Sequence, residues 1–272
     1  MNALATLPQV SSVLDGYLTL IGVCSLRLYV MMVMLPPTAD GVLQGVVKNA
    51  IVILFSSYVA YGQPAALLDT LHGVVLFELA VREGLIGLVL GFSASIVFWV
   101  ATAAGAYIDD LAGYNNVQLT HPLSSEQSTP TSTLLEQIAI MAFWSLGGMT
   151  FLLGALYQSY QWWPLASAHP DMSSIIESFV IRQTDSLMQG VVKLAAPIVF
   201  ALVLIDLAFA LATRSAAKLD LMSLSQPVKG AVTVLLLALF AGLFIDQVKD
   251  QITLRDLSKQ MQLLVHPDAT QR

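Results

Sequence analysis

The composition of this chain of 272 residues is that of a membrane protein, because 56% of its residues are hydrophobic and only 11% are charged. Soluble domains carry about 25% charged residues, and the mean hydropathy here is +0.74. A net charge of −6 without a run of Lys or Arg excludes nucleic acid as a partner. The single cysteine, Cys24, excludes an intrachain disulfide and a thiolate metal cluster. We predict an all-α, polytopic helical membrane protein with about six long apolar helices and two amphipathic helices.

Each of the first two apolar segments carries one basic residue. The first covers residues 16–35 and contains Arg27. No Lys or Arg precedes it, so we expect it to remain in the mature protein rather than act as a cleaved signal peptide. The second covers residues 45–61, with Lys48 near one end, where its ammonium can reach polar surroundings. Arg27 has two interpretations, an interhelical ion pair or snorkelled side chain, and a functional position in a conduit.

The third apolar region has a charged first part and an uncharged second part. Residues 67–83 end with Glu83, whereas residues 84–104 carry no charge and form the cleanest predicted span. Small residues recur in this span at intervals of three, four and four, so they lie along one helix face and permit close approach of a second helix. These residues are Gly84, Gly87, Gly91 and Ser95.

Residues 105–132 form the longest polar stretch and contain acidic residues but no Lys or Arg. Asp109 and Asp110 suggest a metal site as one interpretation. Adjacent carboxylates on a helix point in different directions, however, and no His lies at ligand spacing, so we expect no metal there. Thr133 and Glu136 have the spacing of a capping box and predict that a helix begins near residue 133.

The predicted fourth span, residues 138–156, is followed by a short amphipathic helix. Residues 172–179 place their apolar side chains on one helix face, which is typical of a helix that lies on a surface. The C-terminal tail, residues 247–272, has a similar pattern and is the second predicted amphipathic helix.

Residues 191–245 consist of two apolar runs joined by a short basic turn and predict a membrane hairpin. The first run contains Pro197, where we expect a bend, and Asp206. A charge near the middle of a span costs about 2.5–3.5 kcal/mol on insertion scales. Asp206 is therefore expected to face protein, water or a partner cation. The basic residues of the turn include Arg214 and Lys229.

The sequence contains no Walker loop, HExxH, GxSxG or GxGxxG motif. We therefore expect no enzyme, no catalytic residue, no cofactor and no metal ligand. A secondary transporter of a small molecule or ion is the alternative function, because Arg27 and Asp206 are ionisable residues inside predicted spans. Inverted repeats would favour a transporter, and the sequence shows no convincing internal repeat.

The segment LAAPIVFALVLIDLAFALATRSAAKLDLMSLSQPVKG, residues 194–230, resembles the C-terminal signature of the type III secretion export-gate family. This family includes the injectisome subunit SctT and the flagellar subunit FliR. Upstream, residues 83–92 and 104–113 resemble the family's glycine-rich helix and its continuation. The resemblance extends from the first span to Ile245, and an injectisome member fits better than a flagellar one. His121-Pro122 departs from the Asp-Pro that flagellar members tend to have.

The resemblance implies a subunit present in one copy in an export gate of the bacterial inner membrane, inside the secretion basal body. SctR-like and SctS-like subunits would surround the export channel with it, an SctU-like switch subunit would wrap the channel mouth, and unfolded proteins would pass through. The fold implied is a set of helical hairpins. Residues 1–185 would resemble the SctR-like part, and residues 186–272 the SctS-like part with an amphipathic tail.

Under this resemblance, two groups of residues receive structural roles, with packing inside the chain as the open alternative. Four glycines would serve helix packing or a subunit interface: Gly84, Gly87, Gly91 and Gly105. Six charged residues would pair while buried, within or between subunits: Arg27, Lys48, Glu83, Asp206, Arg214 and Lys229.

Overall fold

The computed structural model is helical over nearly all of the residues that it describes. The described residues are 3–64, 67–68, 71–114, 119–120, 127–166, 172–215 and 222–252. Seven α-helices lie in this part of the chain: α1 (Ala3–Met34), α2 (Gly45–Tyr61), α3 (Gly73–Ala112), α4 (Pro130–Ser145), α5 (Gly148–Trp162), α6 (Met172–Ser215) and α7 (Met222–Ile252). A 3-10 turn covers Pro36–Thr38, and two short strands, β1 (Leu119–Thr120) and β2 (Gln127–Ser128), pair antiparallel.

The contacts within the chain divide it into two compact units. Among the described residues, unit 1 contains residues 3–95 and 150–179, and unit 2 contains residues 96–149 and 180–252. Helices α3, α5 and α6 contribute residues to both units. The predicted boundary at residue 185 lies inside α6, so the compact units do not follow it. The assignment of residues 1–185 and 186–272 to two family-like parts stays a prediction.

Unit 1 is built on the pairing of α1 with α2. Helix α1 ends before Pro36-Pro37, because proline lacks the amide that would continue the helix. The hydroxyl of Thr38 hydrogen-bonds to the carbonyls of Met32 and Leu35, at 2.5 Å and 3.0 Å. It thereby supplies a donor for carbonyl groups at the C-terminal end of α1, where the helix itself offers no amide. The core of the unit is apolar and comprises Leu20, Val23, Cys24, Val59, Ala60, Leu71, Leu79 and Leu165.

Unit 2 packs the second half of α3 against α6 and α7, and α4 against α7. Small and aliphatic side chains alternate in its core, which allows the helices to approach closely. The buried members of this core are Ala104, Ile108, Ala112, Ala195, Ile198 and Leu202.

The prediction of a polytopic, all-α membrane protein is confirmed, but the expected six spans are too many for the described residues. Four helices are long and apolar enough to cross a membrane, or five if α4 and α5 together form one broken span. The charged residues 67–83 and the uncharged residues 84–104 belong largely to one helix, α3, of 40 residues. Helix α2 is apolar but has only 17 residues.

Three helix boundaries also differ from the predictions. The predicted fourth span is interrupted after Ser145, where Gly147 adopts a φ of 75° that glycine tolerates. The predicted surface helix at residues 172–179 is instead the first part of α6. Helix α4 begins at Pro130 and not near residue 133, because proline is preorganised for the first helical position. The predicted tail helix lies, beyond Ile252, outside the described residues.

Candidate functional site: buried charges and close helix contacts

Arg27 of α1 and Glu83 of α3 form a completely buried ion pair in unit 1, with both side chains 0% exposed. The guanidinium and the carboxylate meet in two parallel hydrogen bonds. Nε of Arg27 donates to Oε2 of Glu83 at 2.8 Å, and Nη2 donates to Oε1 at 2.8 Å. This two-pronged geometry is the strongest form of an Arg–carboxylate contact.

The remaining donors of Arg27 reach α5 and the residue after it. Nη1 donates to the hydroxyl of Ser159 at 2.8 Å, and Nη2 also donates to the carbonyl of Trp163 at 3.2 Å. The guanidinium lies over the ring of Tyr160, 3.8 Å from its centroid. We call Arg27, Glu83, Ser159, Tyr160 and Trp163 the Arg27 cluster. It connects α1, α3 and the α5 segment at one point.

Three further contacts surround the Arg27 cluster. The hydroxyl of Tyr160 donates to the carbonyl of Cys24 at 3.0 Å, one turn before Arg27 on α1. Arg82, next to Glu83, lies 3.7 Å from Oε1 of Glu83 and donates to the carbonyl of Leu165 at 2.8 Å. Ionisable groups inside a membrane protein pair with each other and with backbone carbonyls because lipid offers no alternative partner. The cluster is arranged in this way.

A strip of small residues on α3 continues from Glu83 and lies directly against α1. A Cβ added to Gly87 would lie 2.5 Å from the carbonyl oxygen of Arg27, and one added to Gly91 would lie 2.9 Å from Cα of Met31. One turn further, the hydroxyl of Ser95 donates to the carbonyl of Met34 at 2.9 Å. Glycine at these two positions lets α3 approach close enough for Glu83 to reach Arg27.

Gly84 does not belong to this strip. A Cβ at Gly84 would meet no atom within 4 Å in the described part of the chain. The residues that face α1 are spaced by four, namely 83, 87, 91 and 95. Gly84 lies about 100° around the helix from Glu83. A role for Gly84 at a subunit interface stays a prediction.

Asp206 of α6 pairs with Lys229 of α7 in unit 2. Nζ of Lys229 lies 3.1 Å from Oδ1 of Asp206, and the hydroxyl of Ser225 donates to the same oxygen at 3.2 Å. Nζ also donates to the carbonyl of Leu111 at 2.9 Å, near the C-terminal end of α3, where the helix dipole favours a cation. The side chain of Lys229 is 12% exposed, whereas that of Asp206 is 49% exposed.

The other predicted residues occupy more peripheral positions. Lys48 contacts Asp40 at 2.5 Å, but Asp40 is 80% exposed, so the pair lies at the surface of unit 1. Arg214 is exposed in the last turn of α6, so it is not buried within this chain, and its pairing with another subunit stays a prediction. That position suits a cation at a helix C-terminus. Pro197 is an exposed residue inside α6, which continues through it, and a bend there stays a prediction.

Asp109, considered above as a metal ligand, instead caps the start of α4. Its Oδ2 accepts hydrogen bonds from the backbone amides of Thr131 at 2.7 Å and Ser132 at 3.4 Å. These amides have no partner inside the helix, and the preceding residue is Pro130. Asp109 can reach these amides because α3 and the start of α4 are in close contact at Gly105. A Cβ added to Gly105 would lie 2.5 Å from Cα of Ser132. No group of three or more metal-binding side chains is present among the described residues.

Comparison of the sequence with known proteins identifies a family. The family described as "Bacterial export proteins, family 1" matches residues 18–254. The chain is 34% identical over 212 residues to the "Yop proteins translocation protein T" of Yersinia pestis, covering 76% of this chain and 80% of that protein. It is 29% identical over 210 residues to the "Surface presentation of antigens protein SpaR" of Salmonella typhimurium, covering 76% of each. The "Flagellar biosynthetic protein FliR" of Bacillus subtilis is 26% identical over 160 residues, covering 58% and 62%.

The apolar helices and internally paired charges define a multi-pass helical protein of the bacterial inner membrane. The family match extends over most of this structure. The chain therefore belongs to the bacterial export proteins, family 1, and is a component of a type III secretion or flagellar export apparatus. As a component of an apparatus, it assembles with other subunits.

Proposed function

We propose that this chain is a core subunit of the type III secretion export gate, and that it helps to form the channel through which unfolded proteins leave the cytoplasm. The observation that carries the proposal is the family match over residues 18–254, which covers nearly every described helix. The role is structural and involves no catalysis.

The Arg27 cluster supports a scaffold rather than a transporter. Arg27 is one of the two residues, with Asp206, that suggested a substrate or proton site, because each is a charge inside a predicted span. It is 0% exposed, and its contacts to Glu83, Ser159 and Trp163 use four N–H···O hydrogen bonds. A guanidinium whose N–H groups are used in this way holds helices together and has few donors left to bind a solute.

The C-terminal helices support assembly with other membrane subunits. The share of residues buried inside the chain is 67% for the span of α3 but only 17% for each of the spans in α6 and α7. Residues 186–272 would therefore contact SctS-like subunits or lipid, and residues 1–185 would pack beside SctR-like subunits. An SctU-like switch subunit and exported proteins in transit complete the proposed partners.

The relatives favour an injectisome over a flagellar system. Identity to the Yersinia protein is 34% with 76% of this chain covered, whereas identity to the Bacillus subtilis flagellar protein is 26% with 58% covered.

Native mass spectrometry tests the proposed function. The chain is co-expressed with the genes beside its own, purified in detergent through an affinity tag, and compared with the same chain expressed alone. We expect one copy in a large complex that contains several copies of two smaller membrane proteins, and poor accumulation of the chain alone. A stable, partner-free chain that supports uptake of a solute into liposomes would instead establish the transporter alternative.

A further inference from the structure

The start of α4 has two potential caps for the same pair of backbone amides. One is Asp109 of α3, whose Oδ2 accepts hydrogen bonds from the amides of Thr131 at 2.7 Å and Ser132 at 3.4 Å. The other is Thr129, the residue immediately before the helix. A threonine at this position usually caps its own helix, because its hydroxyl oxygen can accept a hydrogen bond from the amide two or three residues further on.

The backbone of Thr129 has the geometry of a capping residue. Its φ of −86° and ψ of 156° are extended, and its carbonyl accepts the first hydrogen bond of the helix, from the amide of Thr133 at 3.0 Å. The side chain nevertheless makes no capping hydrogen bond. Its Oγ1 is buried and has no hydrogen-bond partner among the described residues. Rotation about the Cα–Cβ bond would bring this hydroxyl to the amides once Asp109 has left them.

The two caps have opposing advantages. Hydrogen bonds to a carboxylate are stronger than those to a neutral oxygen. Asp109 also lies in the last turn of α3, where the helix dipole disfavours a negative charge, and it gains from contact with the positive end of α4. This contact, however, leaves Oδ1 of Asp109 and Oγ1 of Thr129 buried without partners in the described part of the chain, which lowers its stability.

We propose that the contact between α3 and the start of α4 is a two-state element. In the docked state Asp109 caps α4. In the released state Thr129 caps it, and the carboxylate of Asp109 is hydrated. The exchange allows the close contact at Gly105 to open while the first amides of α4 keep a cap, so the two states differ less in free energy. This inference concerns contacts within the chain and does not depend on the proposed export role.

A double-mutant cycle on the purified complex tests the exchange. Thr129→Val keeps the shape of the side chain and removes its hydroxyl. With Asp109 present, it should leave the unfolding temperature unchanged or raise it, because it removes a buried hydroxyl that has no partner. In the Asp109→Ala background it should lower the unfolding temperature, since the amides then lose their second cap. No loss in that background, or an equal loss in both backgrounds, would overturn the proposal.

Thr102→Val is the matched control for the cycle. It makes the same change on α3, but the hydroxyl of Thr102 donates to the carbonyl of Phe98 on its own helix, at 2.9 Å. Its effect on the unfolding temperature should therefore be the same with Asp109 and with Asp109→Ala.

Thiol modification measures the released state directly. Ser132→Cys, in a chain that also carries Cys24→Ala, introduces a thiol at a contact where Ser132 is 2% exposed. The rate of its reaction with a maleimide is read by mass spectrometry of the purified complex. Thr129→Val should lower this rate several-fold, whereas Thr129→Ser, which keeps a hydroxyl, should not. Equal rates with and without Thr129→Val would contradict the proposal, whether or not the Asp109→Ala chain accumulates.

Discussion

Each unit contains an ion pair between two of its helices, Arg27 with Glu83 in unit 1 and Asp206 with Lys229 in unit 2. The first pair is fully enclosed, and a planar guanidinium holds both carboxylate oxygens. In the second pair, Lys229 is nearly buried, whereas Asp206 is 49% exposed. A lysine is a point charge and lacks the fixed fork of arginine. The enclosed pair can serve only this chain, while the exposed carboxylate leaves room for a partner from outside it.

This difference in enclosure predicts different consequences when a partner is removed. A charge that is left unpaired in a closed interior has no access to water, so removing its partner lowers the stability of the protein strongly. A charge at a half-exposed position keeps part of its solvation, and its contribution is reduced by screening. The variants below test this difference in order of decreasing effect.

The largest effect is expected for Arg27→Met, which strands the carboxylate of Glu83. Breaking a buried pair costs about 3–5 kcal/mol, and the only charge remaining near Glu83 in the described contacts is Arg82, 3.7 Å from its Oε1. The thermal unfolding temperature of the purified complex and the amount of chain in the membrane should both fall sharply.

The double variant Arg27→Met with Glu83→Leu is the control for this prediction. Because a buried pair replaced by apolar residues of similar volume is often neutral or stabilising, it should recover much of the lost stability. A single variant as stable as the wild type would show that the pair contributes little.

Gly87→Ala should have the next largest effect, because its methyl group would overlap the backbone of Arg27 at 2.5 Å. Overpacking typically costs about 1–3 kcal/mol, and the helices would have to separate at the Arg27 cluster. Gly84→Ala makes the same change one turn earlier, where nothing lies within 4 Å. It should be neutral or slightly stabilising, since alanine favours a helix by up to about 1 kcal/mol over glycine. Equal unfolding temperatures for the two variants would rule out the close contact.

Asp109→Ala removes the acceptor for the amides of Thr131 and Ser132. Loss of a helix cap costs about 0.5–2 kcal/mol, and both amides are at a buried helix end. Asp109→Asn keeps a carbonyl oxygen at this position and should lose less. The two variants are compared by thermal unfolding, and an order in which Asn is worse than Ala would contradict a capping role.

Asp206→Ala should affect stability less, by about 1 kcal/mol or below, because the carboxylate is half-exposed. Lys229 keeps its hydrogen bond to the carbonyl of Leu111. We expect the main effect on assembly or secretion, measured as the amount of complex and the amount of exported protein. Asp185→Ala is the matched control, since it removes an exposed carboxylate from the same helix. Wild-type secretion with a normal amount of complex would refute a role for Asp206 outside this chain.

The sequence predicted the type of fold because the length and apolarity of a helix in lipid are local properties. It did not predict that α3 runs through Glu83, since charges near the end of an apolar run usually indicate a helix end. Both charges lie on the inner face of α3, where Glu83 pairs with Arg27 and Arg82 donates to the carbonyl of Leu165. Only the three-dimensional packing reveals such a partner.

The same limit explains what the sequence could not predict at the candidate site. Small residues at 87, 91 and 95 predicted close packing, but the choice between Gly84 and Glu83 as the first member of the strip depended on the partner helix. The partner of Arg27 is 56 residues away along the chain, and the amide that Asp109 binds most closely is 22 residues away. Rules based on spacing within one helix cannot find either contact. The one cap signal taken from the sequence, the capping-box spacing of Thr133 and Glu136, placed the start of the helix after its actual first residue, Pro130.

The smallest effect is expected for Asp40→Ala, which removes the partner of Lys48. Asp40 is 80% exposed, and pairs of this kind contribute about 0–1 kcal/mol because water and salt screen them. The side chain of Lys48 is 8% exposed, but its ammonium lies beside the exposed carboxylate of Asp40 and therefore close to solvent. The unfolding temperature and the amount of complex should therefore both stay near wild type. The contact between Lys48 and Asp40, at 2.5 Å, is shorter than the 2.8 Å contact between Arg27 and Glu83. This result would therefore show that the contribution of an ion pair to stability depends on its burial and not on its N–O distance. A loss of stability comparable to that of Arg27→Met would mean that enclosure is the wrong criterion.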